Sequence, residues 1–110
     1  MTTITFEREY NAANCVRSLI SVTEALSDLI ARENSALNAG RAEEIRPYQA
    51  EKARLAASHA RSIKTLSANR AAFCAVEESL LIELRTLTTD FETRLEEQQA
   101  LMENPADATA

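Results

Sequence analysis

The sequence predicts an all-α protein: an antiparallel bundle or hairpin of two to three long amphipathic helices with a disordered C-terminal tail. Three observations predict it. The 110 residues include one glycine and two prolines, too few breakers for a chain of many turns. There is no tryptophan and aromatics make up 5%, whereas the helix formers Ala, Leu, Glu and Arg are abundant. Apolar residues recur in steps of three and four over long stretches, which is the spacing of one helix face. A chain of this length makes one core, so a single helical domain over residues 1–104 is expected.

The first helix is expected over about 5–38, with Thr5 as a candidate cap. Its inner row is Ala12, Cys15, Leu19, Val22, Leu26, Leu29, Glu33 and Ala36, and a second row at Val16, Ile30 and Leu37 widens the stripe. That width suits a bundle rather than a two-stranded seam. At 1.5 Å per residue the helix is about 50 Å long. Gly40, the one glycine, marks the reversal, because glycine enters the left-handed conformation that closes a helix without a Cβ clash. Glu43 and Glu44 then suit the positive end of a helix start. Pro47 disfavours helical geometry at Arg46 and can itself open a helix, so the second helix is placed at about 47–68 with a short turn before it.

That second helix has a weak inner line of Tyr48, Lys52, Leu55, His59, Ser62 and Leu66. The third, expected over about 70–103, has the strongest: Phe73, Val76, Leu80, Leu84, Leu87, Phe91 and Leu95, with Leu81, Ile82 and Met102 beside it. No Gly or Pro separates the two. A break near Ser67, Ala68 and Asn69 and one continuous helix both remain open at this point. Pro105 ends the pattern, and residues 105–110 read as a disordered tail.

Net charge is −5, unevenly spread. Residues 51–76 hold one acid and five bases, and 77–110 hold nine acids and two bases. Such segregation favours the last segment folding back beside the middle one. Nucleic acid is excluded as a partner, because Lys52, Arg54, Arg61, Lys64 and Arg70 have no aromatics interleaved and the chain is acidic overall. Cys15 and Cys74 are too few for a disulfide framework or zinc site and read as small buried hydrophobes. Neither a signal segment nor a membrane insertion is expected, which points to a cytoplasmic protein.

An enzyme is not expected, and neither is a cofactor or a metal. One histidine, His59, lies on a packing line. The chain has no Glu-x-x-His pair for a di-iron bundle. Glu43-Glu44, Glu77-Glu78 and Glu96-Glu97 are sequence neighbours, which diverge by about 100° on a helix instead of sharing a proton. What stands out is apolar surface. Three helices with one weak face leave the stripe from Leu80 to Leu95 in surplus, and such a stripe marks an interaction or oligomer surface.

Leu26, Leu29, Ile30, Glu33, Asn34 and Leu37, then Gly40, Glu43, Glu44 and Ile45, then Lys52 and Leu55, resemble the flagellar export chaperones of the FlgN type. Asn69-Arg70 followed by Phe73 is a weaker echo, and the resemblance spans about two thirds of the chain. It implies a small cytoplasmic chaperone that binds C-terminal helical segments of flagellar hook-associated (junction) proteins. It would keep them from premature assembly and assist their delivery to the flagellar type III export apparatus, whose gate components are further expected partners. The family's client-binding region falls here on Leu80, Leu84, Leu87, Phe91 and Leu95. The alternatives for these residues are an ordinary intramolecular core or a homodimer seam in a structural coiled-coil or adaptor protein. Pro47 and the short span from Lys52 to Asn69 depart from the family's pattern.

Overall fold

The computed structural model describes the backbone of residues 2–103 and the side chains of residues 12–103. The expected tail over 105–110 lies outside the described residues. Helix α1 runs over Thr2–Asn38, a 3-10 segment over Ala42–Tyr48, α2 over Gln49–Ala68, α3 over Arg70–Cys74 and α4 over Glu78–Glu103. The described residues contain no strand, and the fold is an all-α bundle. Cross-helix contacts give its direction. Cys15 reaches Ser62 and Glu33 reaches Gln49, so α2 runs back along α1. Glu33 meets Gln98 and Asp28 meets Arg94, so α4 runs parallel to α1.

Local chemistry sets the breaks. Gly40 has φ 74°, and around it Arg41 N–H bonds to the Ala36 carbonyl at 2.8 Å and Gly40 N–H to Leu37 at 3.1 Å. This paired closure takes up carbonyls that the end of α1 leaves open, and the positive φ is where a Cβ would clash. α1 begins at Thr2, ahead of Thr5, so Thr5 is inside the helix rather than its cap. Pro47 lies inside the 3-10 segment, and α2 starts two residues beyond it at Gln49.

Between α2 and α3 the chain breaks at Asn69 without a glycine or proline. Its side-chain amide donates to the Thr65 carbonyl at 2.9 Å and its own N–H to Leu66 at 3.1 Å, satisfying carbonyls that a continuing helix would have used. A second break follows α3, where Ala75 and Val76 N–H bond to Ala72 and Phe73 carbonyls and Val76 turns into the core. The segment expected as one helix over 70–103 is therefore two, α3 and α4.

The core is centred on α1. Among the residues with described side chains, nine of the twelve buried apolar ones are on it, from Ala12 to Ala36, and the others are Leu55, Leu66 and Val76. α2, α3 and α4 all pack against α1, whereas α2 and α4 stay much farther from each other. With a cross-section of 24 × 17 Å there is room for three rods around one axis and no fourth to cover α4.

Candidate functional site

The lower end of the bundle is tied by a polar knot. Glu33 on α1 is 0% exposed. Its Oε1 receives Lys52 Nζ at 2.9 Å and Gln98 Nε2 at 3.0 Å, and its Oε2 receives Gln49 Nε2 at 2.6 Å. Lys52 Nζ also donates to Gln98 Oε1 at 3.1 Å. One carboxylate thus gathers side chains from α2 and α4 onto α1, and its charge is both paired and hydrogen-bonded, as burial requires. Beside it, Asn34 Nδ2 donates to the Arg94 carbonyl at 2.9 Å, and Arg94 Nη1 donates to Ser27 Oγ at 3.1 Å. Asn34 Oδ1 and Thr23 Oγ1 are buried with no hydrogen-bond partner among the described residues.

Above the knot, α2 and α4 face each other along a seam. Lys52 meets Gln98, and seven residues on, His59 meets Phe91 with ring centroids 5.7 Å apart at 58°. A seven-residue step along α2 is matched by a seven-residue step back along α4, the register of two antiparallel helices. Ile63 follows His59 by one turn and Leu95 follows Phe91 by one turn, so both lie on the seam side of their helices. Both are exposed, at 44% and 38%. Met102, a further seven residues along α4, is exposed as well. Between Phe73 and α4 lies a shallow depression of about 440 Å³, lined by Phe73, Leu81, Leu84, Arg85, Thr88 and Glu92.

The five expected client-binding residues divide. Leu80, Leu84, Leu87 and Phe91 are half-buried and pack against the core, while Leu95 is exposed. The row that meets the rest of the bundle runs 80, 84, 87, 91 and then Arg94, Gln98 and Leu101, so its last turns become polar and Leu95 is shouldered outward. Gln98 is the one buried residue of α4. Ile82 is on the far side of the helix, exposed, rather than beside the stripe. Gly40 and Pro47 are both in the exposed connection between α1 and α2.

The expected charge pairing of α2 with α4 is not made among the described residues. The ion pairs there are Arg41–Glu44, Lys52–Glu33, Arg54–Glu51 and Arg94–Asp28, so α4's cross-helix pair goes to α1. The reason is positional: α4 lies alongside α1 and its acids face solvent. Cys15 is half-buried, and burial pushes its thiol up from the usual value. Cys74 is exposed, unlike the buried hydrophobe expected of it. Burial also lowers His59 below its usual value. No group of His, Cys, Asp and Glu among the described residues is arranged to hold a metal ion. Among the described residues no helix is long and apolar enough to cross a membrane.

The fold and this surface define a three-rod helical bundle with an incompletely closed face. In comparisons with known proteins, no family model matches the chain, and no curated protein and no solved structure is significantly similar to it.

Proposed function

We propose that this protein is a cytoplasmic carrier of helical protein segments, in which an amphipathic client helix lies along the α2–α4 seam and completes the bundle. Following the resemblance to FlgN-type chaperones, the clients are C-terminal helical segments of flagellar hook-associated proteins. The carrier keeps them unassembled until the type III export apparatus takes them. One observation carries the reading: α4, with its apolar row of Leu80, Leu84, Leu87, Phe91 and Leu95, fully buries only a glutamine. Leu80, Leu84, Leu87 and Phe91 stay half-covered, and Leu95 is exposed. The residues behind the resemblance bear on the scaffold instead, since Glu33, Asn34 and Lys52 belong to the knot.

Helix-in-groove binding that covers about 600 Å² of apolar area contributes about 15 kcal/mol gross at ~25 cal/mol/Å². Ordering the client and losing rigid-body freedom remove most of it, which leaves the micromolar to nanomolar affinity a releasing carrier needs. The test is calorimetry with peptides from the C-termini of hook-associated proteins, against wild type and an Ile63→Asp/Leu95→Asp variant. Both residues are exposed, so the variant keeps its helicity and is expected to lose binding at least tenfold. Unchanged affinity would remove the seam as the site. A concentration-independent dimer in sedimentation that excludes the peptides would favour a structural coiled-coil or adaptor protein instead.

A further inference from the structure

We infer that the helix filling the seam carries lysine or arginine along one flank, the flank lying over α4. The inference rests on the reading above and adds the partner's chemistry to it. The two banks of the seam differ in charge. On the solvent side of Leu95, α4 presents Glu92, Glu96, Gln99 and Glu103 at steps of four, three and four, all exposed. Those steps keep the four residues on one edge of the helix. Gln99 donates to Glu103 at 3.0 Å, and neither Glu92 nor Glu96 is ion-paired with a base among the described residues.

The opposite bank is different. On α2 the matching edge holds Ala53, Ala56 and Ala60, all exposed and uncharged. Lys64 stands at its outer margin, and Arg54 and Arg61 are on the side of α2 turned away from the seam by helical spacing. Lys52, the base that enters the seam, is bound by Glu33. A helix laid between these banks therefore meets carboxylates on one side and small, neutral side chains on the other. Bases over α4 gain favourable pairs, whereas acids there meet like charge. This polarity also sets which way round the helix lies, because turning it end for end exchanges the flanks.

The experiment uses two synthetic amphipathic helical peptides with identical apolar residues, one with lysines and one with glutamates along a single flank, titrated calorimetrically into the full chain. The lysine peptide is expected to bind about tenfold more tightly at low salt, as several exposed pairs of modest strength combine. In about 1 M salt, where the screening length is ~3 Å, that advantage should shrink severalfold. Glu92→Lys/Glu96→Lys, checked for helicity, should reverse the preference. Equal affinities, or a preference the variant does not alter, would overturn the charged flank while leaving apolar docking in place. Binding of neither peptide would overturn both. Lysine-peptide binding that Ile63→Asp/Leu95→Asp does not weaken would show attraction to the acidic edge without the seam, and would also overturn the inference.

Discussion

Replacing Lys52 with methionine isolates what the polar knot does for the fold. Methionine keeps much of the lysine stem's volume but leaves Glu33, whose side chain is 0% exposed, with only the amides of Gln49 and Gln98. Removing one partner of a buried ion pair costs about 3–5 kcal/mol. The Lys52 side chain keeps 27% of its surface in water, so solvent already shares its charge and the low end, about 3 kcal/mol, applies. That is a large part of the 5–15 kcal/mol typical of a domain and corresponds to a fall in Tm of about 15 °C. The assay is urea unfolding followed by helical circular dichroism. In Glu33→Gln/Lys52→Met, a neutral amide at position 33 can still bond Gln98, and at least half of the loss should return. A single variant within about 1 kcal/mol of wild type, or a double variant worse than the single, would refute the view that the knot holds a stranded charge in check.

Two further outcomes follow from single residues. Gly40→Ala places a Cβ at φ 74° and should lower stability by about 1 kcal/mol in the same assay, without changing helix content. Burial against Phe91 holds His59 below its usual value near 6.5. As pH falls, the unfolded chain therefore takes the proton first. The contribution is full above the unfolded-state value and is lost as the pH falls from there through the folded one. His59→Phe should remove that part of the decline in Tm as the pH falls below about 6.5; an unchanged slope would show that His59 is not its source.

The all-α class was legible because composition and periodicity are local properties. The inner row of α1 was legible for the same reason, down to Glu33, whose place in an apolar row already set it among the core positions. The partners of Glu33 were not, since Gln49 and Gln98 carry no mark distinguishing them from solvated glutamines until α2 and α4 are docked. The order of burial also ran against the apparent strength of the faces. α4 has the more continuous apolar row, yet it gains cover mainly from α1, so its leucines stay half-exposed while Leu55 and Leu66 of the weaker helix are buried. Burial belongs to the pair of surfaces, not to one stripe. The break near Asn69 could be placed but not decided from the sequence, because it depends on a side-chain bond to Thr65 rather than on a breaker residue, and the second break, after α3, was not foreseen.

Among the described residues α2 and α4 meet at Lys52 with Gln98 and at His59 with Phe91, and their inner apolar residues share the core built on α1. Exposed positions outside that core and those contacts, such as Ala53 on α2 and Glu92 on α4, should combine additively when substituted, as sites that share no neighbours do. Under the proposed function, the acidic edge of α4 can be redesigned without compensating changes on α2, which keeps the choice of partner apart from the scaffold.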